Sequence, residues 1–180
     1  MRLLSQVITV FLIAALFTGC GYTTRSLLPA HIKNIYIADF PNRIPITDEV
    51  SDRHRYKTYY PRLEIDVTDA IRDKFLFDGY LKVSQKQYAN VILEGSLVDF
   101  RREPVKYDYD DNVEQYRIVI MVDMKYTDVK ENKVMWQEKG FAGSAYFYTS
   151  GPQYESEQSA IVKAISDLAR RVVDRTIDVW

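Results

Sequence analysis

The 180-residue sequence carries 24 basic and 25 acidic side chains, and its formal charge of −1 leaves no basic excess for a nucleic-acid backbone. A hydrophobic content of 47% suffices for a folded core, and 14 tyrosines against 7 glycines favour strands and recognition surfaces over disorder. With a single cysteine there is no intramolecular disulfide, so stability must come from packing.

The chain opens on an export pattern. Residues 1–6 carry Arg2, residues 7–17 are apolar apart from Thr9, and the small Thr18 and Gly19 precede Cys20. That is the order of a secretory signal. The apolar run falls short of the roughly 20 residues of a membrane-spanning helix. "LFTGC" resembles a bacterial lipobox, in which the thiol is acylated, the signal is cut before it and the new N-terminus is acylated as well. On this reading residues 1–19 are a lipoprotein signal peptide, Cys20 is the lipid-attachment site, and residues 20–31 are the lipidated N-terminus and tether. An ordinary cleaved signal and an uncleaved anchor are the alternatives. Two or more acyl chains hold a protein at a membrane stably where one does not. Gly21 is not the Asp that commonly retains lipoproteins at the inner membrane, which points to outer-membrane sorting. A catalytic Cys20 would need a base, and neither His31 nor His54 forms a recognisable constellation with it.

Residues 32–180 are read as one domain. Residues 32–40 ("IKNIYIADF") form a strand with two mostly apolar faces, hence an interior one. Residues 41–61 show no periodicity and read as a long loop of the kind that is often functional. Leu63, Val67, Ala70, Ile71, Lys74 and Phe75 recur at helical spacing over residues 63–77, with Gly79 as the stop. A short strand over 80–84 and three longer ones over 90–103, 113–129 and 134–148 follow. In the middle one Ile118, Ile120, Val122, Met124 and Tyr126 share a face. "KENK" at 130–133 is a tight hairpin turn, and 104–112 a longer one. Residues 155–179 are a long amphipathic helix with Ile161, Ile165, Leu168 and Val172 as its stripe. Glu155 and Glu157 complement its positive N-terminal end. This order predicts an α+β two-layer sandwich: a mostly antiparallel sheet of four to five strands with two helices packed on one face.

Five segments in this order resemble a known family: "CGY", "LLPAHIKNIYIADFPN", "ANVILEGSLVDFRREPVKYD", "YRIVIMVDMKYTD" and "SEQSAIVKAISDLARRVVDRTIDVW". Together they are similar to the LPS-assembly lipoprotein family (LptE-like). The resemblance implies a non-enzymatic outer-membrane lipoprotein, facing the periplasm or lodged in the lumen of the large β-barrel that delivers lipopolysaccharide to the cell surface. There it would act as plug, barrel-folding partner and lipopolysaccharide binder. Two departures stand out. The segment between Phe40 and Leu63 is longer than is usual in the family, and Asn90, read as a turn residue, stands where relatives often have Asp.

Candidate sites follow from residue type. In "RHRYKTYYPR", Arg53, Arg55, Lys57 and Arg62 stand among Tyr56, Tyr59 and Tyr60, and Tyr and Arg are the residue types that concentrate at protein interfaces. This makes them a candidate barrel interface, against the reading of a solvated loop; the same charges could attract lipid phosphates. Arg101, Arg102 and Lys106 are candidates for binding lipopolysaccharide phosphates. The competing reading is charge masking at a sheet margin, with Glu103 or Asp108 as partners. "DYDDN" at 108–112 lacks the Gly and Glu of a calcium loop, whose positions hold Val113 and Val119. No Ser/His/Asp set, Gly-rich phosphate loop or metal-spaced His cluster is present, so neither catalysis, a cofactor nor a metal is expected. A periplasmic adaptor lipoprotein, activating a cell-wall enzyme or supporting a secretion complex, is the competing function.

Overall fold

The computed structural model describes residues 28–45 and 60–177. Its elements are β1 (Asn34–Ile37), α1 (Leu63–Asp78), β2 (Lys82–Val83), a 3₁₀ turn (Lys86–Tyr88), β3 (Val91–Tyr107), β4 (Val113–Asp128), β5 (Lys133–Tyr148) and α2 (Glu157–Ile177). The strands make a five-stranded sheet of order β2-β1-β3-β4-β5. β1 runs parallel to both of its neighbours, while β3, β4 and β5 form an antiparallel meander. Both helices lie on one face, which is the two-layer α+β sandwich that the sequence predicts.

Alternation in β4 decides which face is covered. Ile118, Ile120, Val122, Met124 and Tyr126 are at most 2% exposed and point to the helices. The register sets Leu93, Leu97 and Phe100 of β3 beside them on one flank, and Trp136, Phe141 and Ala145 of β5 on the other. Onto this layer α2 lays Ala160, Ile161, Ala164, Ile165, Leu168, Ala169, Val172 and Val173, all buried. The approach is tight at Gly143, where a Cβ would stand 2.5 Å from the Leu168 backbone nitrogen and 2.6 Å from its Cα. Only a residue without a side chain lets the helix axis come this close.

Helix α1 buries Leu63, Val67, Ile71 and Phe75 as its spacing predicts, and also Thr68. The Thr68 hydroxyl accepts the Phe40 backbone N–H at 3.1 Å and donates to the Glu64 carbonyl at 2.7 Å. A buried hydroxyl is satisfied in this way at both its donor and its acceptor. Gly79 ends the helix with φ +73°, returning its N–H to the Phe75 carbonyl at 3.1 Å.

Several boundaries differ from the expected ones for identifiable reasons. The first strand stops at Ile37, not at residue 40, because Phe40 turns inward beneath Gly95 and gives its N–H to Thr68. The chain still follows β3 as far as Asn42, which bridges Leu97. The strand expected over 80–84 is only Lys82–Val83, and β3 continues to Tyr107, beyond the expected residue 103. Helix α2 starts at Glu157; Glu155 precedes it and binds Lys163 Nζ at 2.6 Å and the Ser159 hydroxyl.

The outer edge of β5 is not left bare. Arg171 of α2 donates to the Ala142 carbonyl, Asp167 accepts the Ser144 N–H at 3.1 Å, and the Glu155 N–H reaches the Tyr148 carbonyl at 3.1 Å. At the opposite edge β2 has two residues.

Candidate functional site

The helix-free face of the sheet carries the polar half of each strand. Alternation from Phe100 places Asp99, Arg101 and Glu103 of β3 on it, and the register adds Arg117 of β4 opposite Glu103. Arg101 binds Asp99 and lies 3.9 Å from Glu103, whose other oxygen takes two donors from Arg117. Glu103 holds the Arg117 guanidinium above its ordinary pKa, chiefly by this hydrogen bond. Farther along the face Lys125 pairs with Glu94 at 2.8 Å. Opposite charges on adjacent strands thus cancel one another.

The three basic residues that the sequence groups together do not converge. Arg101 faces the open side, while its neighbour Arg102 faces the helices. There Arg102 donates to Glu157 at the start of α2 at 2.8 Å and lies 4.9 Å from the centre of the Tyr116 ring. Lys106 sits between two register shifts near the end of β3 and pairs with Glu114 at 2.8 Å, not with Asp108. The hydrogen bond that its ammonium donates to Glu114 raises the Lys106 pKa.

Asp108 closes the β3–β4 turn. Its carboxylate accepts the backbone N–H of Asp110 and of Asn112, each at 2.9 Å, and the Asn112 side chain at 3.2 Å. These bonds, led by the Asn112 N–H, lower its pKa. Between this turn and the β5–α2 loop opens a cleft of about 880 Å³, walled by Tyr107, Tyr109, Tyr148, Lys106 and Glu114. Sequence reasoning missed it, because its walls come from two loops more than thirty residues apart, a separation that no local pattern links.

Of the expected interface segment, Arg53, Arg55, Tyr56 and Tyr59 lie outside the described residues, as does Cys20. Tyr60 is half-buried; it stacks on Phe100 with ring centres 6.4 Å apart, and its hydroxyl accepts from Gln158. Its ring is therefore part of the core margin. Asn90 is more than a turn residue: its side-chain oxygen accepts the N–H groups of Lys33 and Asn34 at 3.0 and 2.9 Å, and its carbonyl accepts that of Val129.

Solved structures share this architecture at low identity. The hypothetical protein CT253 from Chlamydia trachomatis aligns with a TM-score of 0.55 and 10% identity, over 81% of this chain and 95% of that one. Protein XCC0632 from Xanthomonas campestris gives 0.53 and 13%, covering 86% and 89%. Uncharacterized lipoprotein B from Nitrosomonas europaea gives 0.51 and 14%, covering 89% and 92%. Similarity at this level speaks for the fold alone. No curated protein matches the sequence significantly. The lipopolysaccharide-assembly family LptE, by contrast, matches residues 32–176, from the entry to β1 almost to the end of α2. Over that span the chain belongs to the LptE family of lipopolysaccharide-assembly proteins.

Proposed function

We propose that this protein is a lipid-anchored, non-catalytic lipoprotein of the outer membrane, which partners a large β-barrel in assembling lipopolysaccharide and moving it to the surface. The family match over residues 32–176 carries this reading. The lipobox-like "LFTGC" supports the anchor: Cys20 becomes the first residue and is spent on lipid. Inside or beside the barrel the protein acts as plug and folding partner, with Arg53, Arg55, Tyr56 and Tyr59 as the contact segment and Tyr60 tying its end to the core.

Lipopolysaccharide binding falls to the basic side chains that can change partners. Arg101 and Lys106 hold their carboxylates at partly exposed positions. Ion pairs of that kind contribute at most about 1 kcal/mol. A lipid phosphate, with more negative charge and three acceptor oxygens, replaces such a carboxylate at little cost. Arg102 fits that role less well, since it also joins β3 to α2.

The test is purification of the full chain from outer membranes. It should co-isolate a large β-barrel, and depletion of the chain should stop lipopolysaccharide reaching the surface. Recovery of peptidoglycan enzymes alone, with surface lipopolysaccharide unchanged, would establish the adaptor function instead.

A further inference from the structure

We propose that His31, Asp128 and Glu131 form a binding site for a first-row divalent metal ion, zinc by preference, at the corner where the chain enters the sheet. The ligand atoms of the three side chains lie within 4.8 Å of one another. His31 Nε2 is 2.6 Å from Asp128 Oδ2, and Glu131 is exposed beside them on the β4–β5 turn. In a tetrahedral zinc site, ligand atoms at about 2.0–2.1 Å from the ion stand about 3.3 Å from each other. His31 and Asp128 therefore need to part by only about 0.7 Å, and Glu131 needs only to swing its free side chain inward. The ion takes the place of the proton shared by Nε2 and Oδ2, and that proton passes to solvent.

The backbone of the corner is already fixed, which lowers the entropic cost of assembling the ligands. His31 sits in a turn closed by the Ile32 N–H on the Pro29 carbonyl at 2.9 Å. Beyond it Asn90 grips Lys33 and Asn34 through its side chain, and Val129 through its carbonyl. Asp128 Oδ1 accepts the N–H groups of Lys130 and Glu131 at 2.8 and 3.1 Å, which orients the carboxylate and leaves Oδ2 for the ion. Such support of a ligating carboxylate is typical of metal sites.

A second observation points the same way. Tyr126, two residues before Asp128 on the same face, is completely buried, and its hydroxyl has no hydrogen-bond partner among the described residues. An unpartnered hydroxyl buried two positions from a ligating carboxylate leaves a donor for a water held by the ion. One imidazole with two carboxylates suits zinc, cobalt or nickel, whereas calcium takes six to eight oxygens.

The experiment uses the full chain in detergent, titrated with zinc chloride and separately with cobalt chloride, by calorimetry and by thermal melting. One equivalent is expected to bind with a dissociation constant on the order of micromolar, and bound cobalt should show the visible absorption of a four-coordinate N/O site. His31→Ala and Glu131→Gln should each weaken binding by about tenfold or more, and should abolish the rise in Tm. Glu131 is on the surface, so its variant keeps the fold even if His31→Ala does not. Absence of binding up to millimolar metal, equal affinity in the Glu131→Gln variant, or a stronger response to calcium than to zinc would each overturn the proposal.

Discussion

Replacing Gly143 by alanine tests the packing of α2 on the sheet more directly than any cavity-forming substitution. The added Cβ would meet the Cβ and backbone nitrogen of Leu168 at 2.5 Å and its Cα at 2.6 Å, whereas ordinary contact begins near 3.4 Å. The helix must retreat by about 0.9 Å. A gap of this order forfeits a quarter to a half of the attraction between facing atoms. Overpacking typically costs 1–3 kcal/mol, and a clash with helix backbone belongs at the upper end, about 3 kcal/mol. For a chain of this size that lowers Tm by about 6–12 °C in a reversible melt followed by circular dichroism. Gly140→Ala serves as the control. Gly140 has φ +62° with nothing within 4 Å of a Cβ, so only backbone strain of about 1–2 kcal/mol applies. Because the clash involves Leu168 atoms that alanine also possesses, Leu168→Ala should not rescue Gly143→Ala. A Tm unchanged by Gly143→Ala, a larger loss at Gly140, or rescue by Leu168→Ala would refute the argument.

Other outcomes follow from the polar contacts. Arg102→Ala should cost about 1–2 kcal/mol in urea denaturation, since it removes both the Glu157 ion pair and the stacking on Tyr116. Arg101→Ala should leave stability within about 1 kcal/mol yet weaken lipopolysaccharide binding in a pull-down with the full chain; equal binding would move the lipid contact elsewhere. Asp108 has a lowered pKa in the folded state, so its stabilisation of the β3–β4 turn is fully present above pH about 4 and fades as pH falls through that lower value. Protection of the Asp110 and Asn112 amides, relative to their intrinsic exchange rates at each pH, should fall there on acidification, and should be low at all pH values in Asp108→Ala. Asp167→Ala with Arg171→Ala should uncover the β5 edge and promote self-association, measurable by sedimentation velocity.

What the sequence reveals about this molecule is whatever repeats along one element. The β4 alternation and the α2 stripe each settle which residues are buried, because each element turns one face to the core. Contacts between distant elements leave no such trace. The parallel placement of β1 between β2 and β3 depends on the α1 crossover, which single-strand patterning does not encode. That Arg101 and Arg102 point to opposite faces follows from the pleat of a strand alone, but Glu157, the partner of Arg102, is 55 positions away and no local pattern reveals it. His31 and Asp128 are 97 positions apart, so the single described histidine reads as isolated until the sheet closes. The role of Asn90 was half-visible: its type suits a turn, but its grip on Lys33 and Asn34 needs the tertiary fold.

The covered stretch of the β5 edge bears on how this sheet meets other extended chains. An unpaired edge is an invitation to any extended chain nearby, and a half-assembled barrel displays many such chains. Here the side chains of α2 answer the backbone groups at Ala142 and Ser144, while β3 runs on to Tyr107, well past its last bridge to the β1 side at Leu97. That stretch of the β5 edge is thus a poor recruit for foreign strands. An extended chain approaching there would have to displace side chains of α2 before its backbone could pair with β5.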